Sequence, residues 1–280
     1  MLSLFALHNL HQAVSDEKAQ LSVKLRAVFD IAVNIADSQL REDAPGVLQR
    51  AQENGVQQCL LVGCDLDEST WLAKQHGLLN QPWTAGVHPH YVSQASDDYL
   101  DTLRRLQILP GCVAVGEFGL DYFRMLSPKL QQQSACEAQL SLAVELNKPA
   151  YLHDRDASTD LIAILSNQPE IKGVVHCFTS DYKSLESYLD LGLMIGITGW
   201  CLDERRGQEL AQLVPTIPAD RLLVETDAPY LTPRTLRPRP KHNEPQFLPH
   251  IIEGIARLRG CDAQELADQT TRNARTLFQC

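Results

Sequence analysis

Leu222-Leu223-Val224-Glu225-Thr226-Asp227-Ala228-Pro229-Tyr230 carries the sharpest local signal in the chain. Three apolar residues make a short strand of the kind buried on both faces, two acids arrive at its end, and Pro229 stops it. A buried carboxylate without a partner is costly, so such a strand needs a cationic receiver, either a metal ion or an arginine. An Asp ahead of a proline-rich segment also opens turns and caps helices. Taken alone, the stretch therefore has two readings, and three further stretches of the same shape decide between them.

Strand-like runs recur along the chain at residues 28–34, 58–62, 83–88, 112–117, 149–153, 173–176, 193–198 and 222–225. Apolar residues at three-to-four spacing fill most of the gaps, at residues 38–53, 69–79, 97–107, 128–146, 157–166, 182–189 and 204–213. Several of these segments open with Ser, Asp or Pro, which suit helix starts. Eight strands alternating with helices predict an α/β fold, a (β/α)8 TIM barrel. The competing open, doubly wound sheet would carry a glycine-rich phosphate loop after its first strand, and none follows here. Two helices, residues 245–258 and 263–278, close the chain. Residues 28–280 thus read as one barrel domain. Residues 1–27 read as an N-terminal extension of unknown role with room for one amphipathic helix, residues 17–27.

The totals narrow the class. Of 280 residues, 44% are hydrophobic and 21% charged, ample for a large core. No apolar run is long enough for a membrane span, and the apolar start lacks the basic flank of a signal peptide. Eight cysteines are scattered without a close pair, and Cys59, Cys64, Cys112 and Cys177 sit in or beside strand-like runs. Free thiols in a reducing cytoplasm are the reading. A formal net charge of −10 argues against an extended duplex binder held by many phosphates. A single strand or a small anionic end remains compatible if metal and local basic residues offset the field.

Polar residues gather at the strand ends. Asp30 and Asn34 belong to the first strand, and His88-Pro89-His90 ends the third. The fourth runs into Glu117, Gly119 and Asp121, and the fifth into His153-Asp154-Arg155-Asp156. His176-Cys177-Phe178 ends the sixth, and Glu225 and Asp227 the eighth. In a barrel these ends meet at one mouth, where catalytic residues sit. A lone His is more often a core residue, but three histidines and two acids at equivalent positions predict a metal site. Glu117, His153 and His176 supply one carboxylate and two imidazoles, leaving positions open for water and substrate. Asp227 is placed to take a proton from water or to hold a second ion. Imidazoles suit zinc, iron or manganese, whereas magnesium prefers oxygen. Cys177, next to His176, is expected on the opposite face of its strand.

These residues form motifs: Gly86-Val87-His88-Pro89-His90, Gly116-Glu117-Phe118-Gly119-Leu120-Asp121-Tyr122, His153-Asp154-Arg155-Asp156, His176-Cys177-Phe178-Thr179, Glu225 through Tyr230, and Asn243-Glu244-Pro245. Through them the chain resembles the TatD family of metal-dependent deoxyribonucleases, among the amidohydrolase-like barrels, over nearly all of residues 28–278. Phe29-Asp30-Ile31-Ala32-Val33-Asn34 and Gly196-Ile197-Thr198-Gly199-Trp200 bring it closest to the branch around the type member. The resemblance implies a 3′-5′ exonuclease on single-stranded DNA or RNA that uses magnesium, with manganese or zinc as alternatives. It also implies metal ligands Glu117, His153 and His176, with Asp227 catalytic and His88 beside them. Most of the wider family begins with Asp-x-His-x-His. Here Asp30 remains, but Ala32 and Asn34 stand at the two histidine positions, so one ion is expected to bind more tightly than any second.

Further site residues follow. His88 is expected to bond the scissile phosphate or a water at the metal, unless it only orients its loop. The loop Arg234-Thr235-Leu236-Arg237-Pro238-Arg239-Pro240-Lys241-His242 is expected to hold adjacent phosphates, chiefly through Arg237 and Arg239, since loops after strands seven and eight often bind phosphate. Arg205 and Arg206 would extend that patch, and Arg155 follows strand five. Tyr91, Tyr122 and Trp200 would stack on unpaired bases. The partner expected is a single-stranded DNA or RNA 3′ end, with no membrane, and the protein is expected to act as a monomer. A metal-dependent amide or ester hydrolase, such as an aminoacyl-ester deacylase, is the alternative activity, since fold does not fix substrate. Glu117 stands where many amidohydrolases carry a carbamylated lysine, which favours the phosphodiesterase. A non-catalytic binding protein would have little reason to keep all four of Glu117, His153, His176 and Asp227.

Overall fold

The computed structural model describes residues 25–168 and 170–280. Most of the expected N-terminal helix lies outside the described residues. Eight parallel strands follow one another around a single sheet. They are β1 (Val28–Val33), β2 (Val56–Leu61), β3 (Trp83–Ala85), β4 (Cys112–Asp121), β5 (Ala150–Arg155), β6 (Gly173–Val175), β7 (Met194–Ile197) and β8 (Leu222–Val224). The sheet comes round on itself where Val33 bridges Ala228, the Asn34 amide donating to the Ala228 carbonyl at 2.8 Å. This is the predicted barrel, nearly closed.

The helices are α1 (Ala44–Glu53), α2 (Leu66–Leu79), α3 (Tyr99–Gln107), α4 (Lys129–Glu145), α5 (Ser158–Leu165), α6 (Tyr182–Asp190), α7 (Gln208–Leu213), α8 (Leu248–Arg259) and α9 (Ala263–Phe278). Their starts follow from the sequence. Asp65, Asp181 and Asp262 each accept a first-turn backbone amide with their side chains. Among the described residues no helix is long and apolar enough to cross a membrane. Inside the barrel Phe29, Ile31, Leu60, Tyr151, Val174 and Leu223 pack together, and Phe278 of α9 joins them. Most of the remaining apolar core lies between strands and helices.

One departure matters for function. The fourth strand runs four residues past the expected end at Glu117, to Asp121. Between Val115 and Phe118 it spends one more residue than β5 does between Ala150 and Leu152, a bulge centred on Gly116-Glu117. Bulges of this kind re-aim side chains beside active sites. Glycines make the close approach feasible. A Cβ on Gly116, at φ +142°, would lie 2.4 Å from the Tyr151 carbonyl, and one on Gly119, at φ +149°, 2.0 Å from that of His153.

Side chains tie β1 to β8 at the seam. The fully buried Asp30 carboxylate accepts the Thr226 amide at 2.9 Å, the Thr226 hydroxyl at 2.5 Å and the Ala32 amide at 3.2 Å. From the other side Asn243 donates to the carbonyls of Thr226, at 2.9 Å, and Tyr230, at 2.8 Å. The loop that carries Asp227 is therefore held at both ends.

Burial pushes the Asp30 carboxyl up to about 8, against the hydrogen bonds from Thr226 and Ala32, and Glu225 nearby adds to the rise. The native state thus keeps a proton that the unfolded chain, at an ordinary 3.8, gives up. Stability from this group is present below about pH 4 and is lost as pH rises toward about 8. Asp30→Asn, which cannot ionise, is expected to flatten the fall in melting temperature between roughly pH 5 and 8; an unchanged slope would mean that Asp30 does not titrate there. Asp30→Ala strands the Thr226 groups and is expected to cost roughly 1–3 kcal/mol for each buried group left unpaired, read by urea unfolding.

Candidate active site

Glu117 is the centre of the mouth. It is buried, and its Oε1 lies 2.8 Å from His153 Nδ1, 2.8 Å from His176 Nε2 and 3.4 Å from His88 Nε2. Three imidazoles from three different strand ends thus meet one carboxylate oxygen. Two more acids face these rings from outside. Asp121 Oδ2 is 2.6 Å from His90 Nε2 and 3.6 Å from His153 Nε2. Glu225 accepts the Cys177 amide, and its Oε2 lies 3.7 Å from His176 Nδ1. Burial alone would raise Glu117, but His176 and His88 hold its carboxyl well below the usual range. Burial would lower His176, yet Glu117 and Glu225 outweigh it and the ring is raised.

Asp227 sits beside this cluster in a left-handed conformation, φ 56°. Asn34 Nδ2 donates to its Oδ1 at 3.0 Å. Burial pushes the Asp227 carboxyl up to about 7 against the pull of His176, with Glu225 and Glu117 adding to the rise. Cys64 Sγ completes a chain across the site, 3.5 Å from both Asn34 Oδ1 and Glu117 Oε2. Burial raises the Cys64 thiol well above its ordinary value, so it stays protonated.

The donor set fits a divalent cation. His153 Nε2 and His176 Nδ1 are buried without a hydrogen-bond partner, and three ring nitrogens competing for one oxygen is an arrangement that a cation resolves. The donor atoms of His88, Glu117 and His153 lie within 4.8 Å of one another, and His176 touches the same Glu117 oxygen. His88 therefore stands inside the ligand cluster rather than only beside it. All four offer nitrogen or carboxylate oxygen, as zinc and manganese accept. Asn34 and Ala32 add no charge on the β1 side.

A cavity of about 580 Å³ opens over the cluster. It brings together His88, Glu117, His153, His176 and Asp227 with Arg155, Arg206, Tyr91 and Trp200. Arg206 lies over the Trp200 ring at 4.4 Å and is tethered to Asp203. Arg205, Arg237 and Arg239 do not line this cavity. Arg237 turns its guanidinium back onto the carbonyls of Arg234 and Leu236 in its own stiff loop. Tyr122 faces away too. Its hydroxyl donates to Asp160 at 2.9 Å, Lys129 lies over its ring, and it lines a separate cavity of about 410 Å³. The expectation for Cys177 is also corrected: β6 ends at Val175, φ at Cys177 is +46°, and the residue lines the same cavity as His176.

Sequence reasoning missed Cys64, Phe123 and Arg124 and gave Tyr230 a place in a motif but no role; all four are in the cavity wall. For the first three, only their positions just past strand ends signalled them.

The sequence pattern described as TatD related DNase matches residues 29–279. The chain belongs to the TatD family. A protein of Erwinia tasmaniensis named 3′-5′ ssDNA/RNA exonuclease TatD is 52% identical over 259 residues, covering 90% of this chain and 99% of that one. A protein of Salmonella typhimurium with the same name is 46% identical, with the same coverage. The crystal structure of YJJV, a TatD homologue from Escherichia coli, superposes with a TM-score of 0.84 at 26% identity, covering 90% of this chain and 98% of that one. A phosphotriesterase homology protein from Escherichia coli, at 14% identity and a TM-score of 0.60, shares the barrel fold.

Partners that orient a metal-binding imidazole typically account for 10–100-fold in metal affinity. Asp121→Asn keeps an oxygen for the Arg124 amide but loses the charge facing His153. It is expected to weaken Mn2+ binding about 10-fold or more by titration calorimetry. Wild-type affinity in that variant would remove Asp121 from the site.

Proposed function

We propose that this TatD-family chain is a metal-dependent 3′-5′ exonuclease that hydrolyses phosphodiesters in single-stranded DNA or RNA. The observation that carries the reading is the Glu117 oxygen shared by three imidazoles, with Asp227 alongside, at the floor of a cavity walled by arginines and aromatic rings. Glu117, His153 and His176, joined by His88, would hold a divalent cation, with magnesium, manganese and zinc as candidates. What the cation would supply is an activated water at neutral pH and a polarised phosphoryl oxygen.

The chain's own residues do the rest. Asp227, poised near neutral pH and held by Asn34, receives the proton lost by the attacking water. Arg155 and Arg206 bring positive charge to the cavity of a chain whose total is −10. They take the phosphates flanking the scissile one, while Tyr91 and Trp200 offer faces to unpaired bases. A paired duplex interior presents no free base face to such a wall. All eight cysteines are free, which suits a reducing cytoplasm.

The test is digestion of 5′-labelled single-stranded DNA and RNA with Mg2+, Mn2+ or Zn2+ supplied in turn. Shortening from the 3′ end is expected, and Asp227→Asn should lose roughly 10²–10⁴-fold in turnover. With two arginines on phosphates, the log–log slope of binding against salt should be shallow, about −1.4. Faster turnover of aminoacyl esters than of oligonucleotides would favour the ester hydrolase instead.

A further inference from the structure

Phe123 has no role in the chemistry described so far, yet its placement is specific. It is 62% exposed, and it lines the same cavity as Glu117 and His153. Exposure alone would not single it out, because scattered surface apolar residues are normal. Two further observations do. The Arg155 guanidinium lies over its ring at 5.0 Å, in the geometry of a cation–π contact. The turn that presents it is also built on the active site itself. Asp121 Oδ1 accepts the Arg124 amide at 2.8 Å, folding the chain back just after β4, while Oδ2 of the same carboxylate faces His90 and His153. The Tyr122 amide donates to the Arg155 carbonyl at 2.9 Å, which extends the β4–β5 ladder to the foot of the turn. Phe123 is therefore fixed relative to the Glu117 cluster through one side chain and one main-chain bond.

We infer that Phe123, backed by Arg155, is the stacking platform for a base next to the scissile phosphate. The inference rests on the nuclease reading above and makes it more specific. An aromatic face accepts any base, so the contact selects for an unpaired base rather than for a sequence. Arg155 then has two uses: its charge serves the phosphate, and its plane stiffens the ring. Trp200 with Arg206 forms a second ring–guanidinium pair on the strand-seven side of the same cavity, so bases on either side of the reacting phosphate each have a face to meet.

Stacking on an aromatic side chain typically accounts for about 5- to 100-fold in binding per base when the ring is removed. Phe123→Ala is expected to raise KM for a single-stranded oligonucleotide by that factor, and Phe123→Trp to restore it. The residue is exposed, so neither change opens the core. The decisive substrates are two strands with one abasic site each, at the last or the next-to-last nucleotide. On one of them wild type and Phe123→Ala are expected to converge, because the partner of the ring is gone. If wild type digests the intact strand but Phe123→Ala matches it, the platform is overturned alone. The same follows if the defect persists on both abasic strands. If wild type releases no nucleotide with Mg2+, Mn2+ or Zn2+, the nuclease reading falls, and the platform with it.

Discussion

One oxygen atom organises this molecule. Glu117 Oε1 is approached by His153, His176 and His88, and a buried carboxylate would be untenable without such cationic or donor company. The rings are in turn faced by Asp121 and Glu225. Charge therefore alternates outward from the centre, carboxylate to imidazole to carboxylate. The outer acids stand 3.6 and 3.7 Å from the rings they face, beyond hydrogen-bond distance, so they act on His153 and His176 through charge. The scaffold must bring residues of four neighbouring strands, β3 to β6, to one mouth for this to happen, and the parallel barrel supplies that.

The β1–β8 seam is the second constraint. A short β8 of three residues gives the ladder little purchase, and the closing contact is an isolated bridge at Val33 and Ala228. The Asp30 carboxylate and the Asn243 amide take over the work of main-chain bonds there. Both grip Thr226, the neighbour of Asp227. The same interactions that close the barrel thus fix the position of the proposed base, so stability and activity are coupled at this point. Asn34 and Cys64 add a chain of neutral contacts from Asp227 to Glu117. That chain occupies the β1 side of the mouth without adding ligand charge there.

An acidic protein that handles nucleic acid must localise its positive charge. Here Arg155 and Arg206 are held by rings and by Asp203 at the cavity wall, whereas the more conspicuous arginines after strand eight lie outside it. A guanidinium already lying against a ring loses less freedom on meeting a phosphate than one that must first be ordered. Count and proximity in sequence favoured the loop; direction favours the wall.

Much of the architecture was legible without coordinates. The alternation of short apolar runs with three-to-four patterned segments forces eight strands and their covering helices, because each face must be buried against the next layer. The acids and histidines at strand ends were legible too, since polar groups at the ends of buried strands have few structural uses. Family membership rested on the same motifs. What the chain could not reveal in one dimension was direction. Whether Tyr122 or Phe123 enters the cavity depends on a bulge and a turn that re-aim consecutive side chains. Whether Cys177 shares the face of His176 depends on a left-handed residue just past the strand. Whether Arg206 or Arg237 meets the site depends on which neighbour holds each guanidinium. Periodicity, set by local backbone geometry, is written in the sequence. The aim of a side chain beyond the last ladder bond is set by contacts between residues far apart in the chain, and only the tertiary structure decides it.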